Sequence, residues 1–431
     1  MEPIRKFINV VESAQSVEQL AHISDKALDD AYHYGRSQPG NSFGWQANLA
    51  SAAYAKQAID NGANYAIIDE SEYYINTNTI VVDNVLETLQ KLVNFHRNKL
   101  NTPIISLTGS NGKTTTKELI YAVLSSKYRT KATIGNLNNH IGVPLTLLSF
   151  TTETEIGIVE MGANHKKEIE FLCDLAQPDF GYITNFGKAH LEGFGSVEGV
   201  VKAKSELYDF LRNNNGTAFV NADDALQIKQ STGIKTVEFS THEIQFMEAN
   251  PFVKVRFKNT EINSQLIGKY NFNNIAAAIA IGNYFNIPID NIKEGIENYI
   301  PSNNRSQIIE KGTNKIILDA YNANPSSMTA ALENFHQLKA ENKIVLLGDM
   351  FELGDDSKTE HQKIADLVAA YNFNEVYLIG KAFSTTSAKN AFIYDSFENF
   401  KASNATLNFT HSTILIKGSR GMALERILDF F

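Results

Sequence analysis

Ile104-Ile105-Ser106-Leu107-Thr108-Gly109-Ser110-Asn111-Gly112-Lys113-Thr114-Thr115-Thr116-Lys117 is the stretch that decides the fold of this chain. Pro103 opens a short apolar run that reads as a buried strand, and Gly109 and Gly112 make a tight turn. Leu119, Ile120, Val123 and Leu124 then share one face of a helix. Strand, glycine turn, Gly-Lys-Thr and helix together read as a phosphate-binding loop. The glycines let backbone N–H groups close round a polyphosphate, the helix N-terminus adds its positive end, and Lys113 reaches the outer phosphates. Thr114 supplies the hydroxyl that a magnesium ion needs there. The common form has four residues between the glycines, which would require Gly at 107. Leu107 stands in that place, so this is a shorter G-x-x-G-K-T-T loop. The agreement of strand, loop and helix implies a nucleoside triphosphate site.

Downstream, Gly135-Asn136-Leu137-Asn138-Asn139-His140-Ile141-Gly142 precedes a helical pattern and reads as a binding loop, with a solvated turn as the alternative. Ile156-Gly157-Ile158-Val159-Glu160 is a buried strand ending in a carboxylate, the place where nucleotide enzymes of this type hold magnesium. Phe180 to Asn185 is a further strand. His190 follows it, at the carboxyl end where open α/β sheets bind ligands. Ser196 can cap the next helix, which puts Val197, Val200, Val201, Leu207, Tyr208 and Leu211 on one face. Lys204 lies on that apolar face. It therefore needs a partner, a depressed pKa, a chemical modification or a route to the face's edge. Asn271 and Asn274, in Gly268-Lys269-Tyr270-Asn271-Phe272-Asn273-Asn274, open an Ala-rich helix, where side-chain amides cap a helix or read a purine edge.

Pro301 to Asn304 reads as a linker followed by Arg305. Strands at 315–319, 343–348, 376–380 and 413–417 then alternate with helices at 326–340 (capped by Ser326 or Ser327) and 361–371, a second parallel α/β domain. Polar residues cluster at its strand ends, in Asp319-Ala320-Tyr321-Asn322-Ala323-Asn324-Pro325, Gly348-Asp349-Met350-Phe351-Glu352-Leu353-Gly354 and Lys417-Gly418-Ser419-Arg420. Three such clusters imply a site. Ahead of the phosphate loop, a small α/β unit is expected, with a helix end at 55–62, strands at 65–68 and 79–82 and a helix at 85–96; Pro39-Gly40 reads as a turn and Trp45 as packing. The expected divisions are 1–97, 98–302 and 303–431.

Composition fits two to three domains: 431 residues, 43% hydrophobic and 20% charged. Thirty-nine basic against 48 acidic residues give a net charge of −9 without a dense basic run, which argues against nucleic-acid or anionic-membrane partners. A single cysteine, Cys173, forbids an internal disulfide, and no apolar run approaches a membrane span. The expectation is a cytoplasmic monomer.

Together TGSNGKTTTKE, GNLNNHIGVPLTLL, VEMGANH, NFGKAHLEGFGS, AKSEL, GKYNFNNIAAA, DAYNANPSSM, GDMFELG and KGSRGMALE resemble the Mur ligase family of ATP-dependent amide-forming enzymes. They span residues 108 to about 425. The resemblance implies three α/β domains: a small N-terminal domain for a nucleotide-linked substrate, a central ATP-binding parallel-sheet domain with the phosphate loop, and a C-terminal Rossmann-like ligase domain. DAYNANPSSM and GDMFELG point to those members that join D-alanyl-D-alanine to a UDP-linked muramoyl tripeptide through an acyl phosphate, releasing ADP during peptidoglycan synthesis.

Carried over residue by residue, it implies that Gly109, Ser110, Asn111, Gly112, Lys113, Thr114 and Thr115 hold the ATP phosphates. Thr114 and Glu160 would hold one magnesium ion, and His190 with a carbamylated Lys204 a second. Asn271 and Asn274 would contact adenine, while Arg305 and Asp319 would meet the nucleotide from the last domain. Asn138, Asn139, Asn322, Asn324 and Arg420 would lie near the substrates. Tyr270 replaces the histidine usual in that helix entrance. The first domain lacks the Asp-Ser-Arg turn that reads uridine in these ligases; His33-Tyr34-Gly35-Arg36 and Gln38-Pro39-Gly40-Asn41-Ser42-Phe43 occupy roughly its place. Three alternatives stay open: another family amide ligase (an earlier muramyl ligase or a folylpolyglutamate synthase), a non-catalytic ATP-binding paralogue, and a GTPase switch. Against the last, the chain has no Asn-Lys-x-Asp guanine-reading motif.

Overall fold

In the computed structural model, which describes residues 55–60, 65–302, 304–403, 407 and 409–431, the apolar run before the glycine turn is the strand Ile104–Thr108, buried along its whole length. The expectations for Arg36, Pro39-Gly40 and Trp45 lie outside the described residues. Two compact units divide the chain. One takes the chain up to Ile104 with Arg129–Val159 and Phe171–Gln177; the other takes Ile105–Tyr128, Glu160–Glu170 and Pro178–Phe431.

The first unit contains the small α/β element expected ahead of the phosphate loop. Strands Ala66–Ile68 and Thr79–Val81 pair in parallel, and the helix Val85–Lys99 starts at Asn84, whose side chain accepts from the Glu87 N–H. His96, buried on that helix, bonds through Nε2 to the Phe150 carbonyl at 2.9 Å, and burial pulls its pKa below the ordinary histidine value. Strand Thr130–Ala132 runs parallel to Ile156–Glu160.

In the second unit, the phosphate-loop strand lies beside Phe180–Ile183, followed by Thr217–Asn221 and Lys235–Phe239, all parallel. Leu107, Tyr182, Phe219 and Val237 are in register across these strands, so one apolar row runs through them. Helix Phe272–Tyr284 packs on the phosphate-loop helix Lys113–Leu124, where Gly282 leaves room for the Val123 side chain; a Cβ at Gly282 would lie 2.5 Å from Val123 Cγ1. Sequence reasoning missed the three-stranded antiparallel sheet formed by Ile244–Ala249, Phe252–Phe257 and Thr260–Ile267.

The C-terminal sheet has the strand order Gln307–Lys311, Asn314–Asp319, Thr413–Lys417, Lys343–Gly348, Glu375–Ile379, Phe392–Tyr394. Five of these strands are parallel. The four strands expected to be parallel are so; Gln307–Lys311, which sequence reasoning missed, pairs antiparallel to its neighbour and makes the sheet mixed. Its core combines aliphatic Ile316, Leu318, Ile344, Leu346, Ile414 and Ile416 with aromatic Tyr377, Phe397 and Phe400. The chain crosses over so that Thr413–Lys417 enters between Asn314–Asp319 and Lys343–Gly348, which brings all three polar clusters to the carboxyl ends of adjacent strands. One expected cap shifts. The helix Pro325–Gln337 is capped by Asn324, with Ser327 closing a capping box and Pro325 in the first turn. Proline's fixed φ suits that first helical position, which moves the cap ahead of Ser326 and Ser327. Among the described residues no helix is long and apolar enough to cross a membrane.

Candidate active site

The phosphate loop owes its shape to two glycines. Gly109 has φ 142° and Gly112 φ 81°, backbone that a side chain would strain. A Cβ at Gly109 would lie 2.0 Å from Thr184 Oγ1, and one at Gly112 2.5 Å from Asn274 Oδ1. The loop is clamped from the next strand end. Ser110 N–H donates to the Asn185 carbonyl, Asn111 N–H to Asn185 Oδ1, and Ser110 Oγ to the Gly187 carbonyl at 2.8 Å. Thr184 Oγ1 and Asn185 Nδ2 both donate to the Asn111 carbonyl. Sequence reasoning missed this clamp, although the strand Phe180 to Asn185 marked its place.

Lys113 Nζ donates to the carbonyls of Gly109 at 2.7 Å and Ser110 at 3.3 Å. Burial lowers its pKa below the ordinary lysine value; Glu160 opposes the shift and Arg305 adds to it. Thr114 Oγ1 lies 3.2 Å from Glu160 Oε1, both side chains buried. A hydroxyl and a carboxylate side by side are hard oxygen donors, the set a magnesium ion takes.

Asn271 and Asn274 form a buried amide chain. Thr116 Oγ1 donates to Asn274 Oδ1, Asn274 Nδ2 to Asn271 Oδ1, and Asn271 Nδ2 to the Ile267 carbonyl. Neither side chain caps the helix Phe272–Tyr284. The chain instead ties that helix to Thr116 on the phosphate-loop helix Lys113–Leu124.

Lys204 is fully buried on the helix Val197–Asn213, with Nζ 3.1 Å from the Ala163 carbonyl and 5.0 Å from the centre of the Phe194 ring. Burial drives its pKa far below the ordinary lysine value, Lys113 pushes the same way, and Glu168 and Glu206 oppose. His190 packs edge-on against that same Phe194 ring, with centroids 6.3 Å apart. One aromatic ring thus touches both residues that the family resemblance assigns to a second ion. The His190 Nδ1 is hydrogen-bonded to a Glu352 carboxylate oxygen. Among the described residues no three His, Cys, Asp or Glu side chains converge as a metal site.

The C-terminal polar clusters face these groups. Asn324 Nδ2 donates to Asn111 Oδ1 at 2.7 Å, and Ser326 Oγ accepts from the Lys188 N–H at 2.8 Å. The Arg305 guanidinium stacks on the Tyr321 ring, 3.6 Å from its centre. Burial raises the Tyr321 pKa, with Arg305, Glu160 and Arg420 all close enough to act on it. Asp319 accepts from Lys417 Nζ at 2.6 Å and from the Ser306 N–H at 3.0 Å; Tyr270 OH reaches Ser306 Oγ at 2.8 Å. Lys417 Nζ also holds the Asn322 carbonyl, and Arg420 pairs with Glu425 at 3.0 Å. Asn138 and Asn139 belong to the other unit; there Asn139 Oδ1 accepts from the Ile141 and Gly142 N–H groups and shapes the turn into the helix Gly142–Leu148.

A phosphate loop with an oxygen pair beneath it, met by Rossmann-like strand ends, defines an ATP-dependent ligase architecture. The family model for the Mur ligase middle domain matches residues 107–282, and that for the Mur ligase glutamate ligase domain matches 304–421. The UDP-N-acetylmuramoyl-tripeptide–D-alanyl-D-alanine ligase of Bacillus subtilis is 36% identical over 395 residues, covering 87% of this chain and 86% of its own length. In structure, the chain is similar to MurF from Acinetobacter baumannii (TM-score 0.76, 28% identity, 88% of this chain and 87% of that one). It is also similar to MurF ligase from Thermotoga maritima in complex with ADP (TM-score 0.77, 26% identity, 88% and 91%). The chain belongs to the Mur ligase family.

Proposed function

We propose that this chain joins D-alanyl-D-alanine to a UDP-N-acetylmuramoyl tripeptide, with ATP converted to ADP and phosphate in peptidoglycan precursor synthesis. The relatives' names and the ADP in the Thermotoga maritima structure support the reading. One observation on this chain carries it: Asn324 of the Asp319–Pro325 segment is bonded to Asn111 of the phosphate loop, so phosphate-binding and substrate-binding segments meet at one place. We read 1–97 as the nucleotide-substrate domain, 98–302 as the ATP domain and 303–431 as the ligase domain.

The phosphate-loop N–H groups and Lys113 hold the β- and γ-phosphates, and Arg305 approaches from the last domain. The tripeptide's terminal carboxylate attacks the γ-phosphorus in line and ADP leaves. The amine of D-alanyl-D-alanine then attacks the acyl phosphate, the amide forms and phosphate departs. These steps need positioning and cancellation of charge more than acid–base groups. Magnesium ions, when bound, neutralise the phosphate oxygens; Thr114 and Glu160 suit one, and His190 with Lys204 a second. A free Lys204 amine is a poor ligand. Burial lowers its pKa far below the ordinary lysine value, however, which favours the uncharged amine, and that amine can add carbon dioxide and release a proton to give a carbamate whose oxygens suit magnesium. Asn138, Asn139, Asn322 and Arg420 are read as substrate contacts, and Asn271, Asn274 and Asp319 as nucleotide contacts.

The test is ADP release that requires both the UDP-muramoyl tripeptide and D-alanyl-D-alanine, with the pentapeptide product identified by mass spectrometry. Release with glutamate or a diamino acid in place of the dipeptide would reassign the chain to another amide ligase of the family. ATP binding without release would make it a non-catalytic paralogue.

A further inference from the structure

Glu352 has no role in the reading above, yet it reaches across from the Gly348–Gly354 loop to the His190 ring. Three features show that the contact is built. The loop is pinned behind Glu352: Met350 N–H donates to His361 Nε2 at 3.0 Å, and Phe351 N–H donates to Ser419 Oγ at 2.8 Å. Glu352 and His190 both stand in left-handed backbone, at φ 62° and 53°, a conformation that side chains avoid unless the surroundings hold it. The backbones are joined as well, the Glu192 N–H donating to the Glu352 carbonyl at 3.2 Å.

A carboxylate on one imidazole nitrogen fixes the tautomer and the ring's orientation, and leaves the other nitrogen as the lone-pair donor. We infer that Glu352 is a positioning residue: it holds His190 with Nδ1 protonated and Nε2 free to bind the ion of the ligation site. This rests on the assignment of His190 to that ion. The last domain then takes part in ion binding through Glu352 as well as in substrate binding, and the ion site is complete only while the 348–354 loop is seated on His190.

The experiment compares Glu352→Ala, Glu352→Gln and His190→Ala in the full-length chain. Two readouts are used: the ring nitrogen shifts of His190 at a pH where imidazole is neutral, and the affinity for manganese in the presence of ADP. Wild-type protein should show protonated Nδ1 on His190. Glu352→Ala should release the ring to its common Nε2-protonated form and weaken manganese binding by about 10–100-fold, the usual effect of losing such a partner. Glu352→Gln keeps an acceptor oxygen and should retain the Nδ1-protonated form and most of the affinity. Unchanged tautomer and affinity in Glu352→Ala, with His190→Ala impaired, would overturn the inference and leave the His190 assignment standing. Full manganese affinity in His190→Ala would overturn both.

Discussion

Lys113 Nζ lies 2.7 Å from the carbonyl oxygen of Gly109, so the lysine of the phosphate loop is folded back on the loop that carries it. Two carbonyls hold its Nζ, and burial works against its charge. A phosphate replaces partial charges by full ones and restores the preference for the protonated form. Lys113→Met is therefore expected to lower the rate of ADP release by at least about 100-fold, the scale of losing one aimed donor, with little change in melting temperature. Steady-state kinetics beside a thermal melt checks both halves, and a fully active Lys113→Met enzyme would remove Lys113 from the chemistry.

Asn324 has two separable jobs. Its Oδ1 caps the helix Pro325–Gln337 through the Ser327 N–H, and its Nδ2 donates to Asn111. Asn324→Asp keeps the cap and loses the donor. It should stay near wild-type stability and yet ligate slowly, because a carboxylate then faces the side-chain oxygen Asn111 Oδ1. Asn324→Ala loses both and should also cost about 1 kcal/mol of stability. Denaturant melts with parallel rate measurements distinguish the two, and an active Asn324→Asp enzyme would show that the contact to the phosphate loop is dispensable.

Gly112→Ala tests the loop's geometry. The substitution forces φ 81° on a side chain and drives a Cβ to 2.5 Å from Asn274 Oδ1. Left-handed backbone alone costs about 1–2 kcal/mol. The expected result is a raised KM for ATP. Because Asn274 is itself read as a nucleotide contact, Asn274→Gly alone sets the baseline. Adding Gly112→Ala in that background keeps the strain without the contact, so KM should rise above the baseline by less than it does in wild type; no rise would show that backbone strain contributes nothing.

Local signals were legible in the sequence and long-range ones only partly. Strand, loop and helix around Gly109–Thr116 are neighbours in the chain, so composition and spacing placed them. Glu160 was found as a strand-end carboxylate, and it lies against Thr114. The polar clusters of the last domain were legible as a group. Which atoms meet was not, because Asn111 and Asn324 are 213 residues apart. Asn271 and Asn274 show the limit. An amide at a helix entrance is ambiguous in sequence, and only the fold reveals that these two bond to each other and to Thr116. The antiparallel sheet escaped although Val253, Val255 and Phe257 alternate inward, since its partner strand places a polar Ser264 in the same buried row.

The buried amine of Lys204 also fixes a pH dependence. Between its depressed folded value and the ordinary 10.5, the unfolded chain binds a proton that the folded chain does not. Stability therefore rises with pH across that window in carbon-dioxide-free buffer. Lys204→Met removes the titrating group and should flatten the rise. Urea melts at neutral and alkaline pH measure it, and an identical slope in both proteins would mean that Lys204 keeps its charge in the folded state.

Carbamylation of Lys204, proposed above, would follow chemically from the same burial. An uncharged amine attacks carbon dioxide and loses a proton, turning a would-be cation into an anion with two oxygens. At Lys204 this would exchange repulsion from Lys113 for attraction, since Lys113 lies close enough to act on its charge. The stem also places the new group beside Phe194 and so near His190. Enzyme stripped of carbon dioxide should lose ligase activity and regain it on adding bicarbonate, and carbon-13 bicarbonate should give a carbamate signal absent from Lys204→Ala. That variant should be inactive and be partly restored by short carboxylic acids, which supply the missing oxygens. A fully active Lys204→Ala enzyme, or an unmodified lysine in crystals of active protein, would sink the idea.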